Sequence, residues 1–130
     1  MCADRANVRA FLPDDVSPAS IFATNPPTIE EVIAEACAFY RMPRDEAMTA
    51  GHRQASLVRN VIVHQARICG RLPHAVIGKA IGKSSQITMA AENKIGGRIS
   101  IDEPFRDDMD ILQRRIACAV IKRGPHASNA

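Results

Sequence analysis

The residues with the greatest chemical capacity lie between positions 76 and 94. The stretch Val76-Ile77-Gly78-Lys79-Ala80-Ile81-Gly82-Lys83-Ser84-Ser85-Gln86-Ile87-Thr88-Met89 combines two ammonium groups with a run of short hydroxyl and amide side chains. Such groups hydrogen-bond phosphates and base edges rather than break bonds. Ile77 and Ile81, four apart, mark the inner face of one helix; Gly82 lets the chain turn, and Ser84 or Ser85 caps a second helix. Gly78 is small where two helices must cross closely. The pattern has helix-turn-helix logic, with Ser84, Ser85, Gln86, Ile87 and Thr88 opening the second helix. Ser85, Gln86 and Thr88 are of the types that bond base edges, and Ile87 suits a thymine methyl. Lys79, Lys83 and Lys94 stand nearby for phosphates. A plain helical hairpin shares such a small-residue turn, so the local pattern leaves that alternative open.

Other chemistries are poorly served. The cysteines (Cys2, Cys37, Cys69, Cys118) and histidines (His52, His64, His74, His126) are scattered singly. No CxxC, HExxH, GxxxxGK[ST] or GxSxG occurs, so the expectation is no enzyme, no metal, no cofactor and no bound nucleotide. The cysteines read as reduced thiols in helices, and His64 as an exposed polar residue. The net charge of +3 is unevenly spread. Residues 1–40 carry two arginines against six acidic residues, 41–98 carry ten Lys or Arg against three, and 99–130 balance at five each. A central basic block is the footprint of a phosphate-binding surface. Aromatics are only 4% with no Trp, which disfavours single-strand binding by base stacking.

The elements that must hold this block are helical. With 130 residues and 46% apolar types, the chain suits one domain whose core is built from Ala, Val, Ile, Leu and Met. Apolar runs such as 61–63 and 117–121 are too short to span a bilayer, and charges at 4, 5, 9, 14 and 15 interrupt any signal peptide. The expected architecture is an all-α small bundle containing the helix-turn-helix over 28–122, with a flexible arm at 1–27 and a tail at 123–130. Thr28 and Glu31 form a capping box for a helix ending near Arg41. Helices follow over about 44–48, 56–69 (stopped by Gly70), 73–81, 85–95 (ended by Gly96-Gly97) and 102–122. Only 98–101 has any strand character. Phe105, Met109, Leu112, Ile116 and Val120 line the inner face of the last helix, whose end, 116–121, is apolar all round. Deep burial and a dimer contact are both open for that end.

The order of these elements and several strings resemble the C-terminal DNA-binding domain (domain IV) of the bacterial replication initiator DnaA. Ile77-Gly78-Lys79-Ala80-Ile81-Gly82 is similar to that family's IG-[RK]-A-F-G, and Ala66-Arg67 keeps the family's spacing from its "LAR" helix. Asn93-Lys94-Ile95 is similar to its "RKI", and 102–116, with Leu112-Gln113-Arg114-Arg115, to its last helix. Residues 29–53 match the segment before the long helix. The resemblance covers roughly residues 28–117.

That resemblance implies a helix-turn-helix module binding duplex DNA through a recognition helix in the major groove. It also implies a bacterial cytoplasmic setting at the nucleoid. The family's D-H-T-T falls on Ser85, Gln86, Ile87 and Thr88 with only Thr88 kept, and its minor-groove arginine falls on Leu57, while Arg53 and Arg59 match basic positions nearby, which implies phosphate contacts for them. The chain therefore has the scaffold and the phosphate-facing charge with changed base-reading residues, implying a different duplex sequence. The P-loop ATPase is missing, so the expectation is a stand-alone regulator of replication or transcription. The alternative is a protein-interaction module that has lost base-specific reading and takes a protein partner in replication or transcription control. No membrane partner is expected.

Overall fold

The capping box expected at Thr28 is formed: its Oγ1 accepts from the Glu31 amide at 3.1 Å, and Glu31 Oε1 accepts from the Thr28 amide at 2.9 Å. The structure, a computed structural model, describes residues 12–124 except Asp14. Within these it is all-helical: α1 (Pro18–Thr24), α2 (Ile29–Phe39), α3 (Arg44–Thr49), α4 (Arg53–Gly70), α5 (His74–Ile81), α6 (Ser85–Ile101) and α7 (Glu103–Arg123). α4 lies at the centre, against α2, α3, α5 and α6, while α7 packs on α1, α2 and α6. Val58, Val61 and Ile62 of α4 meet Val32 and Ile33 of α2, Ile77 of α5, Ile95 of α6 and Met109, Leu112 and Ile116 of α7 in one core.

The first 27 residues are not a wholly irregular arm. Ser17 caps α1, accepting from the Ser20 amide at 3.2 Å, and Pro18 supplies the pre-set φ of a first helical residue. Leu12, 1% exposed, joins Ala117 and Cys118 in a second cluster with Val16, Ile21 and Phe22 around it. This accounts for part of the apolar end of α7: Ala117 and Cys118 lie beneath the N-terminal segment, drawn down by the hydrophobic effect, while Ile121 stays 43% exposed. The remainder of the expected arm, residues 1–11 and 14, lies outside the described residues.

The expected tail also begins too early at 123. Arg123 is the last residue of α7, and its guanidinium grips Glu31 at 2.7 and 2.9 Å and reaches Asn25 Oδ1 and the Pro26 carbonyl. Residues 125–130 lie outside the described residues.

Three boundaries differ for identifiable reasons. α4 begins at Arg53 rather than 56 because His52 Nδ1 accepts from the Ala55 amide, a cap that residue type does not announce. At its other end Gly70 stays helical, packed so that a Cβ there would lie 3.1 Å from the Pro27 carbonyl oxygen, and Arg71 takes the left-handed turn at φ 52°. α6 continues through Gly96-Gly97 to Ile101 instead of stopping at 95, and 98–101 is helix rather than strand. Helical glycines cost ~1 kcal/mol each. Ile95 and Ile99 packing offsets that cost, and Arg106 bonds the Ile99 carbonyl at 3.0 Å. Asp102 then caps α7 while holding Arg98 of α6 at 3.1 Å.

The Arg71 conformation is disfavoured for an L side chain by ~1 kcal/mol or more. Arg71→Gly is therefore expected to raise stability by ~0.5–1 kcal/mol, read as a higher urea midpoint with an unchanged m-value.

Candidate nucleic-acid interface

The hairpin of α5 and α6 is held by its turn. Gly82 adopts φ 74°, and the Lys83 amide donates to the Gly78 carbonyl at 2.8 Å, closing the end of α5. Gly78 has no side chain because the Lys83 carbonyl oxygen sits 2.4 Å from where its Cβ would be. The close approach expected at Gly78 is therefore to the turn's own backbone. Ser84 caps α6, its Oγ accepting from the Ile87 amide at 3.3 Å. The turn thereby fixes where α6 starts.

Of the expected reading residues, the structure brings Ser84, Ser85, Gln86 and Ile87 together on the exposed start of α6, with Ile87 52% exposed. Thr88 is not among them. It is fully buried, donating its hydroxyl to the Ser85 carbonyl at 2.8 Å and standing 2.9 Å from His74 Nδ1. The reason is period: Thr88, Ala91 and Ile95 are spaced 3 and 4, and all face inward. Thr88 is a pillar under α6, not a reader. His74 Nε2 lies 3.0 Å from Glu92 Oε1, and Arg67 of α4, 3.4 Å from the same oxygen, donates to the Leu72 carbonyl. These residues lock α4, α5 and α6 together beneath the hairpin.

The basic residues divide in two. Arg59 does not reach outward: its guanidinium donates to the Ala47 and Ala50 carbonyls at 2.7 and 2.8 Å, satisfying the C-terminal end of α3. Arg44 pairs with Glu30, Arg67 with Glu92, and Arg98 with Asp102 while stacking 4.1 Å over Phe105. Arg53, Lys79, Lys83 and Lys94 are exposed and form no ion pair among the described residues. Lys79 and Lys83 stand on α5 and the turn, Lys94 on α6, and Arg53 on the first turn of α4.

Beyond Gln86, sequence reasoning missed the outer row of α6. Met89, Ala90, Asn93 and Gly97 are exposed as Gln86 is, opposite Thr88, Ala91 and Ile95. The signal was available: the inward period, once anchored on Ala91 and Ile95, names the outward positions. Ending the helix at 95 hid only Gly97; Met89, Ala90 and Asn93 lay within the expected helix, but its period was not followed outward.

His64, expected on the surface, is buried, and burial pushes its pKa down against the opposing charge of Glu92. The buried Gln65 bridges it, its Nε2 lying 3.2 Å from His64 Nδ1. Burial raises the Cys69 thiol to about 12 and also raises Cys37 and Cys118, keeping all three protonated near neutrality. Among the described residues no group of three His, Cys, Asp or Glu could hold a metal ion, and no helix is long and apolar enough to cross a membrane. No protein-family model matches the chain, and no curated protein matches it in sequence.

Proposed function

We propose that the chain binds duplex DNA through the α5–α6 hairpin, in the regulation of replication or transcription. The observation that carries this reading is the composition of the exposed residues of one hairpin. The start of α6 offers Ser85, Gln86 and Ile87 to solvent, while the exposed Lys79 on α5, Lys83 in the turn and Lys94 further along α6 have no acidic partner among the described residues. An unneutralised ammonium set beside short polar groups on a buttressed helix is what phosphate positioning and groove reading require. The resemblance of residues 28–117 to the DNA-binding domain of the replication initiator supports the same reading. The correction at Thr88 leaves Gln86 as the chief amide at the helix start.

The test is affinity for a duplex measured across salt concentrations. Lys83→Ala and Lys94→Ala are each expected to weaken binding to all sequences alike and to reduce the slope of log K against log salt by ~1. Arg59→Ala, by contrast, is expected to act through stability, since its donors serve α3. Binding by the wild type that ignores salt, or no binding at low salt, defeats the reading and favours a protein-interaction module.

A further inference from the structure

The exposed row on α6 has a spacing of its own. Gln86, Met89, Ala90 and Asn93 stand at i, i+3, i+4 and i+7, and all four are exposed. A helix lying along the major groove presents side chains at this spacing to successive bases, whereas a helix entering end-on reads with its first residues. Not every residue at the start of α6 is free to read. Ser84 Oγ is engaged in the cap, and Thr88 is buried with its hydroxyl on Ser85. The amides of Gln86 and Asn93, in contrast, have no hydrogen bond among the described residues and point away from the core side of α6.

We infer that α6 reads DNA along its length, through Gln86, Met89, Ala90 and Asn93, and selects a duplex with two adenines about three base-pair steps apart. Gln and Asn side chains bond adenine N6 and N7 in a bidentate manner, and apolar groups contact the thymine methyl. Seven residues of helix advance ~10.5 Å, and three steps of duplex advance ~10 Å. Met89, half exposed, and Ala90 lie between the two amides, where a thymine methyl is the apolar feature of the groove floor. Lys83 and Lys94 flank the row at its two ends. At Gly97, one turn further, nothing lies within 4 Å of where a Cβ would be, which leaves the helix backbone open to close approach by a DNA strand.

This inference rests on the DNA-binding reading above, and one experiment separates the two. The full chain is used to select duplexes from a random-sequence pool, and the selection is repeated with Asn93→Ala and with Gln86→Ala. The wild type is expected to enrich a motif containing two adenines. Asn93→Ala loses the preference at one of them and Gln86→Ala at the other. Each variant binds the wild-type motif about tenfold or more weakly with an unchanged salt slope. Both side chains are exposed, so the circular dichroism melts should coincide with the wild type. An Asn93→Ala protein that selects the wild-type motif at wild-type affinity overturns lengthwise reading while leaving DNA binding intact. Salt-dependent binding without any motif does the same. A wild type that binds no duplex at low salt overturns both.

Discussion

Gly78→Ala is expected to lower the melting temperature by about 10 °C, although it adds a single methyl group to a helix and replaces a poor helix former with the best. At most helical positions that exchange stabilises by ~0.5–1 kcal/mol. Here the new Cβ would meet the Lys83 carbonyl oxygen at 2.4 Å, and that oxygen belongs to the turn's backbone rather than to a movable side chain. Relief requires opening the turn, which strains the Lys83–Gly78 hydrogen bond of 2.8 Å and shifts Ser84 away from its capping position. Overpacking of this kind costs ~2–3 kcal/mol, and each kcal/mol moves Tm by ~4 °C in a domain of this size. Gly97→Ala is the control, because nothing lies within 4 Å of its Cβ site. It is expected to raise stability by ~0.5–1 kcal/mol. Calorimetry on the two variants checks the contrast, and an unchanged melt for Gly78→Ala would contradict the turn geometry described here.

Arg123→Ala is the second large effect, expected to cost ~2–3 kcal/mol at neutral pH. The guanidinium bonds Glu31 twice and also holds Asn25 and Pro26, so one side chain joins the end of α7 to the linker before α2. The pair is largely removed from water, at 23% and 17% exposure, which keeps its hydrogen bonds from being traded freely for solvent. The loss should depend on pH. Burial acts to raise the Glu31 pKa, but the Arg123 hydrogen bond, the Thr28 amide and the Arg123 charge outweigh it, and the carboxyl stays below its ordinary 4.5. A carboxylate lowered on folding contributes stability above its unfolded pKa and loses it as pH falls through the folded value. The stability gap between wild type and Arg123→Ala is therefore expected to be full above about pH 5 and to narrow progressively at more acid pH. Urea denaturation in buffers from pH 7 downward measures it; a gap constant across that range would assign the effect to packing instead.

The proposed reading face and the stability of the hairpin are linked through the same buried groups. Thr88, His74, Glu92 and Arg67 sit beneath the start of α6 and connect it to α4 and α5. A surface that recognises DNA must hold its side chains in place before contact, and these groups provide that support from below. Arg59 has a comparable place under α3, although its type and neighbours resemble those of a phosphate contact.

What the sequence determined alone is local. The Thr28–Glu31 box, the start of the last helix near 102, the turn at Gly82 and the inward spacing of Phe105, Met109, Leu112 and Ile116 were legible, since capping and helical period are written within about four residues. The start of α6 at Ser84-Ser85 followed from the same rules. Tertiary structure decided the rest, because it rested on partners distant in the chain. Arg123 meets Glu31 across 92 positions, and Thr88 meets His74 across 14. Gly96-Gly97 remained helical because the packing of Ile95 and Ile99 on the core outweighed propensity. Leu12 and α1 left the arm to cover part of the apolar end of α7. A side chain's type names the bonds it is able to form; whether Thr88 faces a base or Arg59 a phosphate depends on which buried carbonyls and rings the fold brings within 3 Å of it, and no local pattern encodes that.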